Sequence, residues 1–408
     1  MATPWVILGR IVRADHAAAA AAPDFTLPVA PPPGVTFLAA GRSAHLFPNR
    51  PDESPYIIAA GPSCLLAHFA VAPSTGKFFG DDPQDSYLVV VRDFHTAAGG
   101  LIRASAERIP NLVDPFPILS NIWSVGLISH DDGHYVIVEL QVDSSTGIPD
   151  TLFSFERGSG EWNWTFLECP LPAQELQARK WLPHGAVSIG STLWWFDLRW
   201  GILSCDLSDY FDFYEEPDLV FHRLPQGRAV DEETPLMFGQ RCITVSQGQL
   251  RYVEIIRPEV SDDDDDGSEA ATVHMWTRIM DPGQEEWLWD MNYSMSFVEL
   301  WKHASYRDTG LPRIVPQLAV VCPSDPHLLY FTLKRRLFGV NVHERRVVHH
   351  EPYQLTNKSV TWPQAVGRFV LAWDDLPPAV AAGKTYIPAT LHLLGLLVSS
   401  CVVAIQIS

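Results

Sequence analysis

The chain has 408 residues, 47% hydrophobic and 19% charged, a balance that belongs to a globular protein rather than a disordered one. Its 29 Lys and Arg stand against 48 Asp and Glu, and a formal charge of −19 repels phosphate backbones and argues against a nucleic-acid partner. The cysteines Cys64, Cys169, Cys205, Cys242, Cys322 and Cys401 stand singly with no CxxC pair, which excludes a disulfide framework or a zinc ribbon and points to a reducing compartment, cytoplasmic or nuclear.

The first residues, "MATPWVILGRIVRADH", hold a short apolar patch broken by Gly9 and Arg10, so they read as a strand and not as a signal peptide. The alanine tract Ala17 to Ala22 reads as a flexible arm, and residues 1–33 are set apart as an N-terminal strand plus an Ala/Pro-rich arm. Beyond residue 33, apolar runs of period two alternate with Gly, Asp, Ser or Pro turns, the signal of strands and hairpins.

One hairpin pattern occurs five times: "IIAAGPSCLLAHFA" (57–70), "GLISHDDGHYVIVEL" (126–140), "VSIGSTLWWFDL" (187–198), "TVSQGQLRYVEI" (244–255) and "VVCPSDPHLLYFTL" (320–333). A second hairpin follows each, and two of these, "LFSFERGSGEWNW" (152–164) and "WTRIMDPGQEEWLW" (276–289), share a polar glycine turn followed by Glu-Trp. The second hairpins align on Ile102, Trp162, Val220, Trp287 and Val347, at separations of 60, 58, 67 and 60 residues. The longest spacing contains the acidic loop "VSDDDDDGSEA" (260–270).

Two hairpins make a four-stranded unit, and such units repeated around an axis form a β-propeller. The expected fold is therefore all-β, propeller-like, with six blades and an error of one either way. The sixth blade closes by pairing of N- and C-terminal strands, drawn from "GVTFLAA" (34–40) and "RFVLAWDDL" (368–376). The expected domain is residues 34–378, leaving 379–408 as an apolar tail outside the repeat. Helix is nearly absent; "PAQELQARKWL" (172–182) offers a turn or two. The end of the tail, "LHLLGLLVSSCVVAIQIS" (391–408), lies at the lower edge of bilayer-spanning length, so the alternative to a soluble protein is a tail-anchored one.

In "WWFDLRWGILSCDL", alternation puts Trp195 and Asp197 on one face of a strand and Trp194 and Phe196 on the other. Stacked blades bury both faces, so packing accounts for these rings. Arg199 and Trp200 fall at the hairpin tip, where an exposed Trp beside an Arg has the composition of a partner-binding hot spot; the competing reading folds Trp200 back onto its own blade.

These residues carry a resemblance. "WVILGRIVR", "PPPGV", "AAGPSCLLAHF", "GLISHDDGHYVIVELQV" and above all "WWFDLRWGILSCDL", in this order, resemble the plant family called domain of unknown function 1618, expanded in grasses, from about Trp5 to Trp373. The resemblance implies a plant origin, a propeller-like domain akin to those that follow F-boxes, and no established catalytic activity. No helical segment long enough for an F-box precedes the domain, which argues against a direct ubiquitin-ligase adaptor.

Motifs for chemistry are few. His130, Asp131, Asp132 and His134 of "HDDGH" have metal-ligand chemistry, but the frame places them in a hairpin turn, where Asp-Gly is a turn signal and neighbouring side chains diverge. The run "SDDDDDG" (261–267) lacks the spaced ligands of a calcium loop. No P-loop, dinucleotide fingerprint or nucleophile elbow occurs. His343, His349 and His350 lack a nearby Ser or Cys partner in sequence. No catalytic, cofactor-binding or metal residue is assigned, and no cofactor is expected. The expected function is a non-enzymatic module that binds another protein; the alternative is a propeller enzyme acting on a small sugar or lactone through channel carboxylates.

Overall fold

A computed structural model of the chain describes residues 4–14, 25–40, 55–70, 86–97, 100–110, 121–143, 146–171, 179–208, 217–234, 237–257, 271–281, 286–352 and 369–382. The alanine tract, the acidic loop at 260–270 and the apolar tail from residue 383 onward lie outside them.

The N-terminal strands are β1 (Val6–Ala14), β2 (Phe25–Leu27) and β3 (Val35–Ala40). The first repeat supplies β4 (Tyr56–Ala60), β5 (Leu65–Ala70), β6 (Ser86–Thr96) and β7 (Ile102–Arg108). The second supplies β8 (Val125–Ser129), β9 (Tyr135–Val142), β10 (Pro149–Glu156) and β11 (Trp162–Phe166). The third is β12 (Gly185–Ile189), β13 (Thr192–Asp197), β14 (Gly201–Asp206) and β15 (Leu219–Arg223). The fourth is β16 (Arg241–Ser246), β17 (Gln249–Ile256), β18 (Thr272–Asp281) and β19 (Glu286–Ser296). The fifth is β20 (Gln317–Val321), β21 (Leu328–Leu333), β22 (Arg336–Asn341) and β23 (Arg346–Pro352), and β24 (Val370–Trp373) follows.

Each repeat is an antiparallel meander in chain order, numbered here as blades I to V. Their first strands, β4, β8, β12, β16 and β20, together with β24, line one central cavity. This arrangement is a six-bladed, propeller-like ring. All five residues used to align the second hairpins lie on the outermost strands β7, β11, β15, β19 and β23.

Blade VI is composite, in the order β24-β1-β3-β2. Strand β1 pairs antiparallel with β24, from Val6 opposite Trp373 to Gly9 opposite Val370, and parallel with β3, with Ile7 opposite Val35. The expected partners, 34–40 and 368–376, do share this blade. Residues 6–14, which the sequence reading sets outside the propeller, lie between them, and β2 forms the outer strand. A parallel pair has no hairpin turn to betray it, so the local signal was missing.

Blades VI and I form one continuous sheet. At the outer rim Phe25 to Leu27 of β2 pair with Ala104 to Ile102 of β7, and at the inner rim Ile11 of β1 meets Tyr56 of β4. Leu8, Phe25, Ile57, Leu65, Val91 and Trp373 pack between the two joined blades. Five further interfaces follow the same logic, one of them with Leu193, Trp195 and Leu203 of blade III packed on Val138 and Leu152 of blade II. Burial on both faces explains why these strands read as nearly continuous apolar runs.

Among the described residues, α-helix occurs in short pieces: α1 (Met237–Gln240), α2 (Phe297–Lys302), α3 (Ala304–Asp308) and α4 (Pro378–Ala381). Part of the segment 302–313 is thus helical. Ser296 caps α2 by accepting from the Val298 N–H at 3.2 Å, and Phe297, Leu300, Trp301 and Tyr306 turn into the core. Elements this short show no helical period. Residues 179–182, the described end of the expected helical turn, carry no helix. Among the described residues no helix is long and apolar enough to cross a membrane.

Candidate functional site

The six innermost strands enclose a cavity of about 210 Å³. Polar and apolar surface contribute about equally to its wall, the apolar part including Ile58, Val125, Val187, Ile243 and Val320 from five successive blades. Among its lining residues are the basic Arg10, His184 and Arg241 and the carboxylate Asp374. Arg241 is held from behind the wall by Glu254, at 2.8 Å, and donates to the carbonyls of Leu198 and Arg228, each at 2.9 Å. Asp374 is the one carboxylate among the lining residues, and it is solvent-exposed. A glycosidase of the usual kind needs two carboxylates flanking the scissile bond, so this wall lacks the pair the enzymatic alternative requires.

The Arg199–Trp200 tip sits between β13 and β14, as the sequence indicates, but not as an exposed hot spot. Trp200 is only 1% exposed. Its ring lies 6.0 Å from that of Trp181 and 5.4 Å from that of Phe221, and the Arg179 guanidinium lies 5.5 Å from its centroid. The expectation of an exposed ring is therefore corrected: Trp200 folds back onto its own blade, because the ring's large apolar area gains more by burial than at the surface.

Arg199 is turned back as well. Its Nε and Nη2 donate to the two oxygens of Asp197 at 2.9 and 2.6 Å, and Nη2 also donates to the Lys180 carbonyl at 2.8 Å. The backbone N–H groups of Leu182 and Arg199 complete the Asp197 shell at 3.0 and 2.9 Å. Burial alone would push this carboxyl up, but the contacts of His184 and Arg199 hold it down at about 2. Asp197 is thus the structural hub of the tip.

A second constellation escaped the sequence reading because its members lie in three different strands. Ser204 Oγ on β14 is 2.6 Å from His222 Nε2 on β15, and Arg278 Nη2 on β18 is 2.9 Å from His222 Nδ1. All three side chains are buried. Trp194 lies against the imidazole at 5.2 Å, while Trp287 and Trp289 face the guanidinium at 5.8 and 5.4 Å. This resembles a nucleophile–base pair, yet the wiring runs the other way. Guanidinium can only donate, so Nδ1 must accept, the ring proton sits on Nε2, and His222 donates to Ser204. A base that already carries its proton at that nitrogen cannot take one from serine. Burial, with the neighbouring Arg278, lowers the His222 pKa to about 4. The trio is a polar tie between blades III and IV.

The HDDGH segment forms the β8–β9 turn. Gly133 has φ of 85°, the His130 N–H donates to the His134 carbonyl at 2.9 Å, and the His134 N–H donates to Asp132 Oδ1 at 2.8 Å. His134 Nε2 meets Glu156 at 2.9 Å. The turn reading holds. Among the described residues no group of three or more His, Cys, Asp or Glu is placed to hold a metal ion. His349 and His350 lie on β23, bonded to Tyr330 at 2.7 Å and Arg336 at 3.2 Å.

The outer rim is uneven. Blades VI and I close each other's edge through β2 and β7. Blade V exposes charged residues on β23, and Ser305 of α3 accepts from its Val347 N–H at 2.9 Å. Blades II, III and IV carry something different. Of nine exposed large hydrophobic side chains among the described residues, seven lie on their outer strands: Trp164 and Phe166 on β11, Val220 on β15, Met280 on β18, and Trp287, Leu288 and Met291 on β19. Trp164 and Phe166 stack edge to face at 5.1 Å while remaining 44% and 67% exposed.

Residues 195–330 match a family model. It is described as protein of unknown function (DUF1618). The DUF1618 match runs from β13 to β21, covering the aromatic hairpin, the Ser204–His222–Arg278 tie and the exposed rim of blade IV. No curated protein matches the sequence. Among solved structures, apo AztD from Citrobacter koseri is 10% identical with a TM-score of 0.30; 75% of this chain is covered, but the chain spans only 61% of that protein. The Cps50 (Swd1) β-propeller domain of Myceliophteria thermophila is 7% identical, with a TM-score of 0.30 and coverage of 72% and 84% of the two chains. Kuenenia stuttgartiensis hydrazine synthase is 11% identical, with a TM-score of 0.35 and coverage of 74% and 76%.

Proposed function

We propose that the chain is a non-enzymatic protein-interaction module whose docking surface is the outer rim of blades II to IV. The observation that carries this reading is the set of exposed apolar side chains, mostly aromatic or methionine, on β11 and β18–β19, with Val220 on β15. Sheet edges are normally protected by charge, pairing or cover, and the other three blades follow that rule. Aromatic residues and Met are the types enriched at protein interfaces. An edge strand also offers unpaired backbone groups to a strand or loop of a partner. The chain's charge of −19 favours a partner that rims an apolar segment with Lys or Arg.

The free cysteines Cys64, Cys169, Cys205, Cys242 and Cys322 fit a reducing compartment, the cytoplasm or the nucleus. The Arg199–Trp200 tip serves this reading as support for blade III, with its surface share limited to the outer part of Arg199.

Affinity purification from plant cells tests it, comparing the full chain with Trp164→Ser/Phe166→Ser and Trp287→Ser/Met291→Ser. The expected result is a reproducible partner lost from at least one variant whose circular dichroism and melting temperature are unchanged. Retention of every partner by both variants would overturn the rim as the surface. An absence of any partner would overturn the module itself.

A further inference from the structure

Arg10 stands where β1 changes partners. Up to Gly9 the strand pairs with Val370 of β24, and at Ile11 it meets Tyr56 of β4. The Arg10 side chain enters the central cavity at this crossing. Its Nη1 donates to the carbonyls of Ile58 and Ile57 at 2.8 and 3.3 Å, and the guanidinium lies 5.5 Å from the Tyr56 ring centroid. Those bonds use one nitrogen. The Nε–H is buried without an acceptor, and Arg10 makes no ion pair with any described residue.

The contrast with two other arginines in this chain is direct. Arg199 presents its Nε and Nη2 edge to both oxygens of Asp197, and Arg241 reaches Glu254 at 2.8 Å. Arg10 has the same fork and no carboxylate bonded to it among the described residues, although it lines the cavity. A guanidinium drawn out of water is stabilised by a bidentate anion more than by carbonyls alone. The chain's charge of −19 opposes anions at large, so any attraction for a negative ligand in this cavity is local and comes from the guanidinium itself. A cavity of about 210 Å³ suits a small molecule rather than a polymer.

We propose that the central channel binds a small organic carboxylate, its carboxylate on the Arg10 guanidinium and its apolar body against Val187, Ile243 and Val320. This site lies at the opposite end of the blades from the rim, so its success or failure is independent of partner capture.

The test is calorimetric titration of the full-length protein with benzoate and with 3-methylbutanoate, using inorganic phosphate and choline as comparison probes. The expected result is saturable binding of at least one carboxylate, weakened at least about tenfold in Arg10→Gln, with no binding of choline. Val187→Phe, which keeps Arg10 but fills the wall, is expected to abolish it. Neither carboxylate binding the native protein would overturn the proposal, as would undiminished binding by either variant. Phosphate binding alone would overturn the organic ligand class. If Arg10→Gln does not fold, Val187→Phe decides.

Discussion

His222 stands between Ser204 and Arg278, 2.6 Å from the one and 2.9 Å from the other, and the arginine fixes the direction of both bonds. Because Nδ1 is committed to accepting, the serine receives a proton donor where a protease would have a base. Ser204 is expected to stay unlabelled by a fluorophosphonate probe under conditions that label a trypsin control, read by intact mass. Ser204→Ala should cost about 1 kcal/mol of stability in urea unfolding, the worth of one buried hydrogen bond.

The hairpin tip should behave as core. Trp200→Ala removes a fully buried ring and should cost about 3–5 kcal/mol. Arg199→Ala leaves the carboxylate of Asp197 buried without its bidentate partner, again about 3–5 kcal/mol. Chemical denaturation of each single variant measures both, and a loss under 1 kcal/mol in either would contradict the packing described.

Acid should weaken the fold in two separable stages. Burial holds His68 at about 4, and burial with the nearby Arg278 holds His222 at about 4, against an ordinary 6.5. Each takes up its proton more readily unfolded, so stability is present in full above 6.5 and falls as pH drops toward 4, by up to about 3 kcal/mol per histidine. Asp197, held at about 2 against an ordinary 3.8, contributes above that ordinary value and loses its share only as pH falls further toward 2. Urea midpoints at pH 7.5, 5.5, 4.5 and 3 would trace both stages. In His222→Gln the slope between pH 6.5 and 4 should be shallower.

Gly201 opens β14 where β15 presses closest. A Cβ there would fall 2.4 Å from Phe221 Cε2 and 2.6 Å from the His222 carbonyl oxygen. The backbone atom cannot give way as a flexible side chain can, so Gly201→Ala should cost at least about 1–3 kcal/mol, read as a lowered melting temperature.

The blades were legible because each buries both faces of its middle strands and ends its hairpins on turn residues, so "VSIGSTLWWFDL" and its four counterparts announced themselves locally. Alignment on Trp162, Val220 and Trp287 found the outermost strands for the same reason. What stayed hidden depends on distance along the chain. The parallel pairing of Ile7 with Val35 has no turn, and Ser204, His222 and Arg278 meet only after three strands are laid side by side. Residue type left two readings of Trp200, a surface contact and a folded-back ring, and the size of its apolar area already favoured the folded-back ring that the structure shows. Arg10 interrupts an apolar run, and only the crossing of β1 from blade VI to blade I shows what that interruption reaches.

The composite blade also sets a timetable. Val6 to Gly9 are synthesised early, and their partners Val370 to Trp373 follow about 360 residues later. At about 5–20 residues per second, synthesis separates the two by on the order of tens of seconds. The other strand pairings of β1, with β3 and with Tyr56 of β4, fall within the first 60 residues. The ring is thus closed by a ladder of only four residue pairs between segments made far apart in time.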